Sequence, residues 1–153
     1  MKIINGAPGL GKKLNKTQIN DFLSSGKMNL QFGTIDDDCE PNIHPVWYIY
    51  EKDCLYFATE TKSKKVQNIQ QRKIAYFAVS NEEEPYVGIR GKGKTTILVN
   101  KKQNIVITKK IIKKYLGNKK SKLANEVMDE IESGLEVVVK IKPKYYSAWS
   151  FMS

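Results

Sequence analysis

Between Asn29 and Ser80 apolar and polar residues alternate with a period near two, the mark of strands with one buried face. Leu30, Phe32 and Thr34 interleave with Gln31, Gly33 and Ile35 in a strand over Asn29 to Ile35, and Asp36-Asp37-Asp38 makes the turn after it. Asn42 to Tyr50, β-branched and aromatic, predicts a second strand, which Glu51-Lys52-Asp53 turns into a third at Cys54 to Thr59, giving a meander. Ile74, Tyr76 and Ala78 alternate with Ala75, Phe77 and Val79 between Lys73 and Ser80, and a long run follows from Tyr86 to Val99. Gly88, Gly91 and Gly93 inside that run predict a bulge, a barrel bend or close approach by another group. Two last strands are expected at Leu135 to Ile141 and Tyr145 to Phe151.

Helical spacing interrupts this pattern four times. Ile19, Phe22 and Leu23 share a face in a helix from Lys16 or Thr17, the expected N-cap, to about Ser25, with Gly26 closing it. Val66, Ile69 and Gln70 place a short helix within Lys62 to Gln71. Two more are expected near Thr108 to Leu116 and Lys120 to Ser133, the latter with Leu123, Val127 and Ile131 on one stripe. Residues 1–15 read as a flexible N-terminal arm, irregular from Gly6 to Lys16. With no repeat or linker to divide it, the chain is expected to be a single domain over 1–153. Five to seven strands with few helices point to a mainly β fold, a small antiparallel barrel with flanking helices, in preference to a parallel α/β sheet.

Composition narrows the function. The 153 residues suffice for one core, and no apolar run approaches the ~20 residues of a membrane span. The apolar start at Met1 to Gly6 is too short for a secretory signal, so a cytoplasmic location is expected. Cys39, Cys54 and the single histidine, His44, offer neither a disulfide framework nor metal-ligand spacing, so no metal site is expected. The net charge of +10 raises nucleic acid as a partner, but Arg72 and Arg90 are the only arginines, and base readout favours arginine's planar fork. The densest basic stretch, Lys101 to Lys122, carries Ile111, Ile112, Tyr115 and Leu116 at helical spacing, which makes its lysines the wet face of an amphipathic helix.

Three segments carry candidate chemistry. Gly6-Ala7-Pro8-Gly9-Leu10-Gly11-Lys12 has phosphate-loop spacing, but Lys13 stands where a hydroxyl must hold magnesium, and no α/β pattern follows. Thr59-Glu60-Thr61-Lys62-Ser63-Lys64-Lys65 leaves a strand and enters a helix, so that hydroxyls, two adjacent ammonium groups and unpaired N–H groups could together cradle a dianionic phosphate. In His44-Pro45-Val46-Trp47 a proline in mid-strand removes a ladder donor, which predicts a sheet edge or an opening in the sheet.

The order of these pieces, from a leading helix at Ile19 through Pro41 to Tyr48, Leu55 to Thr59, Ser63-Lys64-Lys65, Asn68-Ile69, Pro85-Tyr86 and Ile89 to Gly93, resembles the pyridoxamine 5'-phosphate oxidase-like, FMN-binding split-barrel superfamily. The close at Ser147-Ala148-Trp149-Ser150-Phe151 resembles the last strand of its deazaflavin-dependent branch. The resemblance implies a six-stranded split β-barrel and a homodimer with flavin sites at its interface. It assigns the cofactor phosphate to Ser63, Lys64 and Lys65, the strand end near the flavin to Ala58 and Thr59, and the ring's flank to His44, Pro45, Val46 and Trp47. Arg90 is expected beside the flavin, and Trp149 is a candidate to stack on a ring. True vitamin B6 oxidases carry a lysine and an arginine where this chain has Ile49 and His44, and they end in an arginine-rich motif absent here, which argues against vitamin B6 oxidation. The expectation is an FMN-binding oxidoreductase acting on a small molecule. The alternatives are a deazaflavin-dependent reductase, a non-catalytic flavin carrier, and a basic nucleic-acid-binding module.

Overall fold

The computed structural model describes residues 1–118 and 120–151. Seven strands run in the order β3-β2-β6-β7-β8-β5-β4 in one curled sheet. They are β2 (Leu30–Ile35), β3 (Pro41–Val46), β4 (Ile49–Glu51), β5 (Cys54–Glu60), β6 (Ile74–Ser80), β7 (Val87–Leu98) and β8 (Glu136–Ser150). An eighth, β1 (Lys2–Asn5), lies parallel to the second half of β8, and four helices flank the sheet: α1 (Lys16–Ser24), α2 (Lys64–Gln71), α3 (Lys101–Leu116) and α4 (Lys122–Ser133). This is the mainly β, antiparallel split barrel expected, with eight strands in place of six.

The alternation read in β2 is the alternation observed: Leu30, Phe32 and Thr34 are buried while Gln31 and Ile35 are exposed. Phe32, Leu55, Phe57, Phe77, Ile89, Ile141 and Tyr146 fill the barrel. The spine is β8, which pairs with β7 from Leu98↔Val138 to Val87↔Ser150 and with β5 along its first half. The sequence suggested two strands here, Leu135 to Ile141 and Tyr145 to Phe151, separated by Lys142-Pro143-Lys144. The ladder instead absorbs it by a register shift: Lys92 faces Tyr145 and Gly93 faces Pro143, so Lys144 bulges out and the strand continues.

Three other expectations are corrected. The N-terminal segment is not an irregular arm throughout, because Lys2–Asn5 adds to the sheet, Lys12 bridges to Ser150 and Leu14 is buried. The N-cap of α1 is Asn15, whose side chain accepts from the Gln18 N–H at 2.9 Å while the Gln18 side chain accepts from the Asn15 N–H at 2.9 Å. Helix α3 begins at Lys101, capped by Asn100, well before the expected Thr108.

The run from Asn42 to Tyr50 is also not one strand. It breaks at Trp47-Tyr48, where α3 replaces the lost ladder bonds. The Tyr115 hydroxyl accepts from the Tyr48 N–H at 3.2 Å and donates to the Met28 carbonyl at 2.6 Å, while Lys114 Nζ donates to the Tyr48 carbonyl at 3.1 Å. Trp47 stacks flat on Tyr115, with ring centroids 4.9 Å apart, and Lys114 sits 3.9 Å above the centre of the Tyr48 ring. Burial of this ammonium lowers its pKa to about 8.

Tyr48 is fully buried and its hydroxyl donates to the Leu23 carbonyl at 2.9 Å, tying the break to the end of α1. Tyr48→Phe is expected to cost about 1–3 kcal/mol, because it takes a donor from a buried carbonyl. A urea midpoint unchanged from that of the parent protein would contradict this.

Candidate functional site

A cavity of about 780 Å³ opens where the β3 edge, the end of β5 and the start of α2 meet, with α3, α4 and the first residue of β8 closing its far wall. Nine of the residues singled out in the sequence line it: His44, Pro45, Val46, Trp47, Ala58, Thr59, Ser63, Lys64 and Lys65. Arg90 and Trp149 do not. Arg90 is paired with Ala78 and Ser147 on the outer face of the sheet, and Trp149 lies over Gly88 and Gly6 on that same face. A Cβ on Gly88 would lie within the indole, so these glycines exist to seat Trp149.

Each wall follows from its local chemistry. Strand β3 ends the sheet order, which is where a proline without an N–H can sit, so Pro45 leaves the His44 to Trp47 edge free to face the cavity. Ser63 is the N-cap of α2, yet its side chain makes no capping hydrogen bond and its Oγ is buried without a partner. Lys65, in the first turn of α2, is only 8% exposed and makes no hydrogen bond or ion pair among the described residues. Lys64 is different: it is exposed and pairs loosely with Asp37 at 3.6 Å. Asn68 anchors α2 from behind by donating to Thr34 on β2 at 2.9 Å.

The charge balance is unusual. Burial holds the Lys65 ammonium below its ordinary pKa, against the pull of the Glu60 and Glu136 carboxylates. Partial burial, with the Lys65 charge, lowers His44, so its imidazole is neutral at pH 7. Glu136 is pushed up to about 7, first by burial and then by Glu130 and Glu60. Ser63 Oγ, Thr108 Oγ1 and Glu136 Oε2 are buried atoms without hydrogen-bond partners, and all three residues line this cavity. Such atoms cost stability unless a ligand or water satisfies them.

Sequence reading missed the far wall, Thr108, Ile111, Ile112, Val127 and Glu136, and on the near side it passed over Asp36, Pro41, Asn42 and Glu60. Ile111, Ile112 and Val127 had been read only as the apolar stripes of their helices. Glu136 carried a usable signal, as the one acid in the apolar run Leu135-Glu136-Val137-Val138-Val139. Its position is fixed because the Thr61 N–H donates to the Leu135 carbonyl at 2.8 Å and the Thr61 hydroxyl to Gly134 at 2.9 Å, which pins the β5–α2 loop to the start of β8.

A curled antiparallel sheet with a cavity at its open edge defines the class, a split-barrel protein. Residues 16–150 match the sequence profile of the pyridoxamine 5'-phosphate oxidase family, and the chain belongs to that family. Solved structures share the fold. A conserved hypothetical protein from Mycobacterium tuberculosis superposes with a TM-score of 0.78 at 18% identity, covering 90% of this chain and 86% of that one. A FAD-binding protein from Mesorhizobium loti gives 0.70 at 16% identity over 92% and 98% of the two chains. A protein named F420 reductase gives 0.63 at 19% identity over 83% and 94%. No curated protein matches the chain in sequence. Among the described residues no helix is long and apolar enough to cross a membrane.

An unpaired ammonium held in a partly dry wall is destabilising in the absence of an anion. Lys65→Met, which keeps the stem and removes the charge, is expected to raise the melting temperature of the ligand-free protein at pH 7 by about 2–4 °C, the equivalent of roughly 1 kcal/mol in a chain of this size. The sign follows from the lowered pKa: the charged form is disfavoured by folding, so removing it at a pH below 10.5 relieves a cost. A lower melting temperature by calorimetry would contradict this account of the site.

Proposed function

We propose that the protein is an FMN-binding oxidoreductase of the split-barrel class, acting on a small molecule as a homodimer. The observation that carries this reading is Lys65, a largely buried lysine whose ammonium has no ion pair, lining a cavity beside the orphaned hydroxyl of Ser63 at the start of a helix. A dianionic phosphate would satisfy all three features at once: the ammonium by charge, the hydroxyl by accepting a hydrogen bond from it, and the first N–H groups of α2 by taking the place of the missing cap. The donor set therefore fits the phosphate of a flavin mononucleotide. Lys64 and Thr59 would complete that end, His44 to Trp47 would flank the ring, and Ile111, Ile112 and Val127 would exclude water from it. Bound there, a flavin supplies the redox chemistry. The chain's own part is to anchor the phosphate, hold the ring against an edge whose proline donates nothing, and offer a neutral His44 imidazole to donate or accept one hydrogen bond.

Vitamin B6 oxidation is not part of this reading. A phosphorylated substrate needs a second cluster of fixed cations, best supplied by arginine. No arginine lines the cavity, and Arg72, next to it, is engaged in donating to the backbone carbonyl of Asp36 at 3.2 Å. A basic nucleic-acid module is less well supported: Lys110 of α3 pairs with Glu51 at 2.6 Å and Lys114 is folded onto Tyr48, while Lys119 lies outside the described residues. A deazaflavin is the second reading, because the phosphate of its tail would meet the same ammonium and one solved structure of this fold is named an F420 reductase.

The dimer reading rests on the outer face of β3, β2 and β6. Ile43 is 68% exposed and Tyr76 52%, with Ile35 and Ile74 beside them on the same face, a patch that an isologous contact would cover. Arg90 projects from the same face, where it could reach a partner's site.

FMN is expected to bind more tightly than riboflavin. Lys65→Met should weaken FMN by about one to two powers of ten, the loss of one charge-assisted hydrogen bond, and leave riboflavin unchanged. Equal affinity of the parent protein for FMN and riboflavin, measured by flavin fluorescence, would sink the phosphate assignment, and tighter binding of a deazaflavin than of FMN would favour the second reading. Sedimentation at micromolar concentration should give twice 17.5 kDa. Tyr76→Glu should dissociate that species, and a parent protein that sediments as a monomer would overturn the shared-site reading.

A further inference from the structure

Glu136 is the cavity residue that a phosphate site explains least well. It lines the same cavity as Lys65 and Ser63, it is paired across the β5–β8 ladder with Glu60, and its Oε2 is buried with no donor to satisfy it, the Glu130 carboxyl being its one side-chain hydrogen-bond neighbour. The groups that face it are Glu60 from β5, Glu130 from α4 and Lys65 from α2. Beyond Lys65 lies His44 on β3, while α3 presents only Thr108, Ile111 and Ile112 to the cavity. Two carboxylates and a phosphate dianion would repel one another, a cost that Lys65 and the exposed Lys64 offset only in part. An anion enters this end of the cavity at lower cost if one carboxyl becomes neutral. Glu136 is the one placed to do so, since burial and two acidic neighbours already favour its protonated form.

We propose that Glu136 contacts the anionic end of the cofactor as a neutral acid: its carboxyl donates a hydrogen bond to a phosphoryl oxygen held by Lys65, and its ionised form opposes binding. The inference rests on the phosphate reading of Lys65 and adds to it a residue that selects for charge. No bond to the ligand forms or breaks. When free Glu136 is ionised, a proton from solvent joins its carboxyl as the ligand arrives, so binding takes up a proton. The burial cost of the acid in the empty protein is then relieved by the ligand, as a buried donor and an acceptor satisfy each other.

The pH dependence has a definite sign. Free Glu136 titrates at about 7, and a bound dianion raises it further, so affinity is greatest below pH 7 and falls as pH rises through the bound value. A phosphate monoester is already a dianion above about pH 6, so between pH 7 and 9 the ligand's own charge is constant. In the free protein burial, and then the Lys65 charge, lower the His44 pKa and so favour its neutral form in this window.

The experiment titrates FMN and riboflavin into the parent protein and Glu136→Gln at pH 7 and 9, reading flavin fluorescence. Calorimetry of the parent protein in two buffers of different ionisation enthalpy counts the protons. FMN affinity of the parent should fall between the two pH values, approaching about tenfold for each pKa unit by which the ligand raises the carboxyl. Glu136→Gln should remove most of that fall and bind FMN more tightly than the parent at pH 9, riboflavin should be insensitive to pH in both, and the calorimetry should show proton uptake. A parent affinity flat with pH, an equal fall in Glu136→Gln, or no proton uptake would each overturn the role of Glu136 while leaving the phosphate site standing. FMN binding no tighter than riboflavin at either pH would overturn both. The calorimetry needs no variant, so the inference remains testable if Glu136→Gln does not fold.

Discussion

The backbone of one residue governs the shape of the site. The Tyr48 N–H and C=O lie at the break between β3 and β4, where neither has a strand to pair with, and α3 satisfies both through Tyr115 and Lys114. An unpaired buried peptide group costs about as much as a lost hydrogen bond, so the chain can turn here only with α3 in place. The same helix then presents Thr108, Ile111 and Ile112 to the cavity, and Trp47, stacked on Tyr115, stands between the two. The bend that opens the sheet and the wall that closes the cavity thus have a single cause.

Around that frame three buried polar atoms without partners, on Ser63, Thr108 and Glu136, gather at the cavity, while three others, on Asn68, Thr95 and Asn104, lie apart from it. The barrel is filled with Phe, Leu, Ile, Val and Tyr, and the surface ion pairs, such as Lys16 with Asp53 at 2.7 Å, are satisfied and ordinary. At the cavity a lysine, a serine, a threonine and a glutamate are buried or half-buried with atoms that have no protein partner. Local chemistry that disagrees with the rest of a fold is the pattern expected where a binding surface displaces stability. A ligand that satisfies these groups stabilises the folded chain by mass action.

The strands were legible where one face is wet and the other dry, as in β2 and β6, because alternation records burial directly. Pro45 correctly marked an edge, since its missing donor is a property of one residue. The errors arose where distant parts of the chain decide the outcome. Lys2–Asn5 is too short to alternate and joins the sheet only through a parallel partner more than a hundred residues away. Trp47-Tyr48 looks like any β-rich dipeptide until Tyr115 is beside it. Lys142-Pro143-Lys144 has turn composition, but two neighbouring strands hold it extended. The near wall of the cavity was readable because its residues lie in two short contiguous segments. The far wall was not, since it is assembled from single residues of α3, α4 and β8 that share nothing in sequence.

The position of β8 has a consequence for how the chain comes to be folded. Every strand it pairs with precedes it in sequence, yet it lies between β7 and β5 and joins the two parts of the sheet. Until it arrives during synthesis, β7 and β5 each present an open edge, and the earlier strands can close no barrel between them. Pairings of such long sequence separation are slow to form and leave strand edges exposed meanwhile. Lys92 and Lys94 on the waiting β7 put like charge on an edge of the kind that otherwise recruits another chain.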